Sequence, residues 1–174
     1  TNFWVNNGTI IGNGTLATSF RQSSTGSTVA SNGVLALFGT YNSGQATFTS
    51  SGGGFGTFRA ATSGTLRVIG NVASGMGGSW QVDNGGTLEV AGVNVDLGAA
   101  FMPMSQLNGT VRVNTGGNLT LSSATAGGPT LGQQGTFQFD ASSGAANIFM
   151  PNSSGLANFT NAGTIFITGN SSGT

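Results

Sequence analysis

The chain has 174 residues, of which 32 are glycine and only 5% are charged. Its formal net charge is zero, so the basic stripe that phosphate backbones require is missing, and we expect no nucleic acid partner. The lack of Cys and His excludes disulfides, thiolate and imidazole metal ligands, and Ser-His or Cys-His catalysis. We therefore expect no metal and no cofactor.

One short pattern recurs along the chain: a Gly, a Thr or another small residue, then an apolar, a variable and an apolar residue. The first copy is GTIIG at 8–12, and the last is GTIFI at 163–167. In chain order the copies begin at Gly8, Gly33, Gly56, Gly64, Gly86, Gly109, Gly135 and Gly163. The alternation of apolar and other residues in each copy predicts β-strands of about five residues.

The spacing of these strands is typical of a parallel β-helix, or β-solenoid. We expect an all-β fold and one domain over 1–174, with about seven coils of 22–28 residues. Gly33 and Gly86 lie two coils apart, so the coil between them begins at Gly56 or at Gly64. A weaker copy at 117–121 follows Gly109 by the same interval as Gly64 follows Gly56, which favours Gly56.

Stacking of the coils places equivalent pattern positions in columns, and the third and fifth positions are apolar in almost every copy. We predict that these two columns point inward and form the core. The third position gives Ile10, Leu35, Phe58 or Leu66, Leu88, Val111, Phe137 and Ile165. The fifth gives Leu37, Ala60 or Val68, Val90, Val113, Phe139 and Ile167, with a break at Gly12.

The fourth position points outward and carries charges of alternating sign. It reads Ala36, Arg59 or Arg67, Glu89, Arg112, Gln138 and Phe166. Neighbouring coils lie about 4.8 Å apart, a distance at which like charges would repel each other. We predict a ladder of Arg, Glu and Arg that fixes the register of the coils.

Asn precedes the pattern repeatedly, and it tolerates the left-handed conformation of a turn. These residues are Asn7, Asn32, Asn84, Asn108 and Asn161. Of the four acids, Asp83 and Asp96 are the pair that one face of a solenoid would have to bring together for glycoside hydrolysis. Asp83 precedes a turn and Asp96 ends a strand-like segment, so we expect structural roles for both and no enzymatic activity.

Two similar segments, FMPMS at 101–105 and FMPNS at 149–153, have two interpretations. They are either an exposed patch that docks a neighbour or a surface glycan, together with Trp4, Tyr41 and Trp80, or a third strand that ends in Pro. We favour the strand. The residues concerned are Phe101, Met102, Met104, Phe149 and Met150.

The stretches NGTVRVNTGGNLTL and FTNAGTIFITG resemble the β-strand repeats of bacterial autotransporter passengers and haemagglutinin-like adhesins. The resemblance covers about residues 5–170 and implies a right-handed parallel β-helix on the bacterial cell surface, in an adhesin, a stalk or a fibre. The absence of Cys is compatible with this location. The longest apolar runs are far shorter than the ~18 residues that span a bilayer, so we expect no membrane span.

No charge precedes Arg21 or follows Asp140, and uncharged strand edges accept further strands. We predict that the first coil accepts the last coil of another copy, with Thr9 on Thr164, Ile10 on Ile165 and Ile167 beside them. The expected function is a structural subunit that stacks head to tail into an extracellular fibre. The alternatives are an excised adhesin segment, a glycan-binding module, and an ice-binding solenoid with a ladder of Thr65, Thr87, Thr110, Thr136 and Thr164.

Overall fold

The computed structural model of the chain describes residues 4–17, 20–23, 25–37, 49–50, 57–69, 79–91, 94–96, 106–114, 116, 118–120, 130–131, 134–140, 147–149 and 160–168. All the regular structure in these ranges is β-strand. The strands are β1 Trp4–Asn6, β2 Thr9–Leu16, β3 Phe20–Gln22, β4 Ser27–Leu37, β5 Thr49–Ser50, β6 Thr57–Ala60, β7 Gly64–Val68, β8 Ser79–Val82, β9 Thr87–Val90, β10 Asn94–Asp96, β11 Gln106–Leu107, β12 Thr110–Val113, β13 Asn118–Thr120, β14 Thr130–Leu131, β15 Thr136–Asp140, β16 Asn147–Phe149, β17 Thr160–Asn161 and β18 Thr164–Thr168.

The described strands pair only in parallel, and they form three sheets. Two small sheets have the strand orders β1-β3-β5 and β10-β13-β16, and the third sheet has 12 strands. The prediction of an all-β fold with parallel strands is confirmed, and the architecture is β-helix-like.

The large sheet is curled because β4 is long enough to pair with two strands at once. One edge of β4 pairs with β2, and the other edge pairs with β6 along its first half and with β7 along its second half. Two rows of strands extend from there: the first row is β6, β8, β11, β14 and β17, and the second row is β7, β9, β12, β15 and β18. Each repeat of the sequence thus contributes one strand to each row.

The chain passes from the first row to the second through residues with positive φ. Within β4 these are Asn32 (φ 52°) and Gly33 (φ 130°), and in the next two turns they are Ser63 (φ 64°) and Gly85 (φ 78°). Among the described non-glycine residues, only Asn32 and Ser63 have positive φ. The predicted left-handed Asn is therefore present at Asn32, whereas at Asn84 the glycine that follows takes this conformation.

The second row pairs the predicted inward positions in order. Leu35, Leu66, Leu88, Val111, Phe137 and Ile165 are successive partners in one column. Leu37, Val68, Val90, Val113, Phe139 and Ile167 are successive partners in the other. From β4 to β15 all these side chains are buried, whereas Ile165 and Ile167 of β18 are exposed. Burial of these columns supplies most of the apolar stabilisation of the second row.

The preference for Gly56 over Gly64 is wrong. Gly33 pairs with Gly64, and β7 continues the second row. The strand after Gly56 belongs instead to the first row, where Phe58 lies between Thr28 and Trp80. The two copies of the pattern are alike because each repeat contains two strands, one for each row, and both strands need the same alternation.

The assignment of the first copy at Gly8 is also wrong. Ile10 pairs with Thr28 of the first row and not with Leu35. After a register shift between Gly12 and Gly14, Gly14 pairs with Leu35. Leu16 then pairs with Leu37, so a leucine fills the place in the fifth-position column where a break at Gly12 was predicted.

The first row has inward columns of its own, which complete the core. Phe58 and Trp80 are buried and stacked, with ring centroids 4.8 Å apart and an interplanar angle of 18°. Beside them, Ala30, Ala60, Val82 and Leu107 follow one another as register partners and are all buried. Stacked aromatic pairs contribute about 0.5–1.5 kcal/mol beyond the burial of their area.

The glycine of the repeated pattern is required by close contact between main chains. A Cβ atom on Gly64 would overlap the carbonyl oxygen of Ala30, and one on Gly86 would overlap that of Ala60. Gly109 is in the same position, because a Cβ atom there would overlap the carbonyl oxygens of Asp83 and Gly86. The second-row strands β7, β9 and β12 therefore begin where the chain lies directly on the main chain of the preceding layer.

This contact predicts that Gly86→Ala destabilises the fold, because the clash is with main-chain atoms that cannot move aside. We expect a loss of about 1–3 kcal/mol in the free energy of unfolding, the usual cost of forcing extra atoms into a packed site. Gly8→Ala is the matched control, since nothing lies within 4 Å of its added Cβ, and its effect should stay within about 0.5 kcal/mol. Urea denaturation of both variants measures the difference, and equal effects would contradict the contact.

Candidate functional site

The outward side of the second row carries two polar columns. The first consists of threonines, Thr65, Thr87, Thr110, Thr136 and Thr164, which follow one another as register partners. The second is the column of the predicted charge ladder, two residues further along each strand. A flat surface with two parallel threonine columns is therefore absent from the second row, because charged residues occupy the neighbouring column.

The charge ladder runs through Arg67 and not through Arg59. Its successive partners are Ala36, Arg67, Glu89, Arg112, Gln138 and Phe166. Arg67 Nη2 lies 3.1 Å from Glu89 Oε2, and Asn114 Nδ2 donates to Glu89 Oε1 at 2.7 Å. Arg112 lies opposite Glu89 in register, but its Nε donates to Gln138 Oε1 at 3.2 Å.

Glu89 is only 6% exposed although it is charged and points outward. The side chains of the neighbouring strands cover it, and hydrogen bonds from Arg67 and Asn114 satisfy both of its oxygens. A buried carboxylate that loses such partners is costly. These contacts therefore depend on the register of β7, β9 and β12, because a shift of one residue would separate Glu89 from Arg67 and Asn114.

Arg59 belongs to a second ion pair in the first row. Its register partners are Val29 and Gln81, and its Nε and Nη2 donate to Asp83 Oδ2 at 2.9 Å and 2.5 Å. Gln81 Nε2 donates to Asp83 Oδ1 at 3.0 Å. The hydrogen bond to Asp83 raises the pKa of Arg59. This effect is larger than that of desolvation by burial, which lowers the same pKa. Because Arg59 stays charged far above neutral pH, this contribution does not change over the neutral range.

The two acids considered for glycoside hydrolysis lie at strands of different sheets. Asp83 follows the first-row strand β8 and is engaged by Arg59, whereas Asp96 ends β10, in a separate sheet. Within the described part of the chain there is no group of three or more acids that could hold a metal ion. The carboxylates whose side chains are described thus serve as partners of neighbouring strands.

The proposed docking patch falls mostly outside the described residues. Phe101, Met102, Met104 and Met150 lie outside them, as does Tyr41, whereas Phe149 ends the strand β16 and pairs with Thr120. Trp4 lies in β1. Trp80 is buried against Phe58, so the less favoured interpretation, in which it belongs to an exposed patch, is wrong for this residue. The reason is that β8 turns Trp80 toward the core, as the alternation of a strand requires.

The two ends of the large sheet expose apolar side chains. At one end β18 pairs only with β15, and Ile165, Phe166 and Ile167 are 46%, 52% and 73% exposed. At the other end β2 pairs only with β4, and Ile11 is 67% exposed. Both edges present unpaired main-chain groups beside apolar side chains, which is the arrangement that accepts another strand. Among the described residues these edges are the main candidates for an interaction site.

Comparison of the chain with protein-family models, with curated proteins and with solved structures finds no match. The described ranges contain no helix with the length and apolar character that a bilayer crossing requires.

The ladder predicts that reversal of the charge at position 89 destabilises the fold more than removal of that charge. Glu89→Gln removes one charge but keeps the shape, and we expect a loss of about 1 kcal/mol. Glu89→Arg places three guanidinium groups in line and should cost about 2–4 kcal/mol. Thermal and urea denaturation measure both values.

Arg112→Gln is the control for this comparison, because Arg112 is hydrogen-bonded to Gln138 but lies in no ion pair with a described acid. Its effect should be below about 1 kcal/mol. Equal destabilisation by Glu89→Gln and Glu89→Arg would reject the role of the ladder in fixing the register.

Proposed function

We propose that this chain is a non-enzymatic structural protein of the bacterial cell exterior. In this proposal the chain forms one right-handed β-solenoid of about seven coils, and the solenoids stack head to tail into a filament. The observation that carries the proposal is the pair of open edges, β2 and β18, at opposite ends of one curled parallel sheet. A parallel sheet is extended by adding a strand in the same register, and each copy presents both halves of such a junction.

The columns of the second row define the register at the junction. Because Gly14, Thr15 and Leu16 begin the columns that end in Ile165, Phe166 and Ile167, a second copy in continuous register pairs these residues in this order. This replaces the predicted pairing of Thr9 with Thr164 and of Ile10 with Ile165. Thr9 and Ile10 belong to the first row, whereas Thr164 and Ile165 belong to the second row.

The proposed junction is sterically and chemically compatible with this register. Ile167 meets Leu16, so two apolar side chains extend one inward column. Ile165 meets Gly14, which has no side chain to compete for the space, and Phe166 covers Thr15. All three residues of β18 are at least partly exposed without the partner.

The energetics predict assembly that depends on concentration. Burial of the three exposed side chains of β18 contributes roughly 1 kcal/mol each, and main-chain hydrogen bonds between the edges add to this. Association costs at least about 4 kcal/mol in lost translational and rotational freedom. A single junction is therefore weak, and filaments are expected above a threshold concentration.

The proposed absence of catalysis rests on the engagement of the described acids. Asp83 and Glu89 each accept hydrogen bonds from two side chains of the fold, including an arginine. The proposed exterior location rests on the absence of Cys, on the low charge and on the resemblance of the Gly-Thr repeats to bacterial surface proteins. Partners of such a subunit are further copies of the same chain.

Electron microscopy of the purified chain over a range of concentrations tests this function. We expect filaments with an axial repeat of ~34 Å, the height of seven coils at the strand spacing. Ile165→Lys should abolish the filaments, because it places a charge in an inward column at the junction. Gln134→Lys is the matched control: it adds the same charge at an exposed turn residue and should leave assembly unchanged.

Circular dichroism of the Ile165→Lys variant verifies that the chain still folds. Filaments of unchanged length and number from this folded variant would contradict the junction. Separate particles of the unmodified chain at every concentration would contradict the filament, and they would favour a segment of an adhesin whose edges are covered by other parts of a longer protein.

A further inference from the structure

Five Asn-Gly dipeptides occur in the chain, and all of them lie in the described residues. They are Asn7-Gly8, Asn13-Gly14, Asn32-Gly33, Asn84-Gly85 and Asn108-Gly109. Asn followed by Gly is the sequence most prone to spontaneous deamidation, because no Cβ atom hinders the approach of the glycine nitrogen to the asparagine side chain. The reaction needs a glycine N–H that is free and a side-chain amide that can rotate toward it.

Hydrogen bonds to the main chain hold the glycine nitrogen in two of the five dipeptides. Gly33 N donates to the carbonyl oxygen of Ser63 at 3.1 Å, and Gly109 N donates to that of Val82 at 3.0 Å. Gly109 is also buried. Deamidation at these two positions first requires that a bond between neighbouring layers breaks.

Side-chain hydrogen bonds restrain two further dipeptides. Gly8 N donates to Asn6 Oδ1 at 3.1 Å, so its nitrogen is occupied. At Asn13 the side-chain amide itself is held, because Nδ2 donates to the carbonyl oxygen of Asn32 at 2.9 Å. This side chain also lies against Gly33. Its rotation toward Gly14 would break both contacts.

Asn84 and Gly85 differ from the other four pairs because no such hydrogen bond restrains either reacting group. Both residues are exposed, and they occupy the turn that is closed by the hydrogen bond from Gly86 N to the carbonyl oxygen of Asp83, at 2.8 Å. Neither the nitrogen of Gly85 nor the side-chain amide of Asn84 has a hydrogen-bond partner among the described residues. The turn thus presents both reacting groups to solvent.

We propose that Asn84 is the site at which this chain deamidates spontaneously while it is folded. The nitrogen of Gly85 loses its proton and bonds to Cγ of Asn84, and the bond from Cγ to Nδ2 breaks, so that ammonia leaves and a succinimide forms. Water then opens the ring at one of its two carbonyl groups and gives aspartate or isoaspartate. The sum is Asn plus water giving an acid plus ammonia, with no oxidation or reduction.

The modification changes the junction between two layers of the sheet. The carbonyl oxygens of Asn84 and Gly85 accept hydrogen bonds from Thr62 Oγ1 (3.0 Å) and Ser63 N (3.1 Å) of the preceding turn. Isoaspartate inserts an extra methylene into the main chain before Gly85 and turns the main-chain carbonyl group of residue 84 into a free carboxylate. Either product also adds a carboxylate next to Asp83, which is already bound by Arg59.

The test compares the five dipeptides within one folded chain during incubation in mildly alkaline buffer, followed by tryptic digestion and mass spectrometry. Since the chain contains no Lys, cleavage after Arg67 and Arg112 places Asn84 and Asn108 in the same peptide. We expect Asn84 to lose its amide about tenfold faster than Asn108, the factor that one hydrogen bond broken before reaction represents. Isoaspartate at position 84 should be detected by fragmentation of this peptide.

Two controls separate the effect of the fold from that of the sequence. In denaturant the five dipeptides should react at similar rates, and Asn84→Gln should remove the fast reaction from the folded chain. Equal rates at Asn84 and Asn108 in the folded chain would overturn the proposal, as would faster reaction at any of the other three. An Asn84 that stays intact in the folded chain while it reacts in denaturant would also overturn it.

Discussion

Main-chain contact between neighbouring strands is the constraint on which the rest of the structure depends. Parallel strands lie about 4.8 Å apart, and where β7, β9 and β12 begin, the chain lies on carbonyl groups of the preceding layer. A Cβ atom at Gly64, Gly86 or Gly109 would overlap those carbonyl groups. The position of each glycine therefore sets the register of its strand. Once the glycines are aligned, the next four residues of every repeat fall into fixed columns, which alternate between the core and the surface.

Column packing explains why so few charges are present and how they are used. In a parallel stack each side chain has an equivalent neighbour above and below, so a charge repeated in every layer would repel itself. Most outward positions are instead filled by Thr, Ser, Gln and Asn, and four of the charged residues have a partner of opposite sign one layer away. Arg67 with Glu89 and Arg59 with Asp83 are the two ion pairs of the described residues. Such pairs contribute little to stability when exposed, but they discriminate between registers.

The second row could be predicted from the sequence because each of its strands starts directly after a Gly-Thr or equivalent step. The first row could not be predicted, because the turn that joins the two rows varies in length. It is short at 108–109 and longer at 83–86. The register partners Val82 and Leu107 therefore lie at different distances from the following pattern glycine, Gly86 and Gly109 respectively, although the structure places both in the core. The interval between Gly56 and Gly64, which recurs between Gly109 and the weaker copy at 117–121, indicated that a repeat contains two strands.

The residues that begin the second-row columns were also predicted incorrectly from the sequence, because Ile10 follows a Gly-Thr step yet belongs to the first row. A strand is assigned to a row by the strand with which it pairs. The sequence of a strand contains little information about its pairing with a distant segment. The ion pair of Arg59 with Asp83 could not be predicted either. The register partner of Arg59 in β8 is Gln81, whereas Asp83 lies in the turn after β8. Alternation within a strand indicates which face is buried, but it does not indicate the neighbour.

The position of β7 in the second row beside β9, rather than that of the strand after Gly56, is tested most directly by disulfide formation, since the chain has no cysteine of its own. A disulfide requires Cα atoms about 4.4–6.8 Å apart, a range that includes the spacing of adjacent parallel strands. The register of β7 and β9 predicts that Thr65→Cys combined with Thr87→Cys forms an intramolecular disulfide on folding, whereas Thr57→Cys combined with Thr87→Cys does not. Rapid disulfide formation by the second pair, with none by the first, would contradict this register.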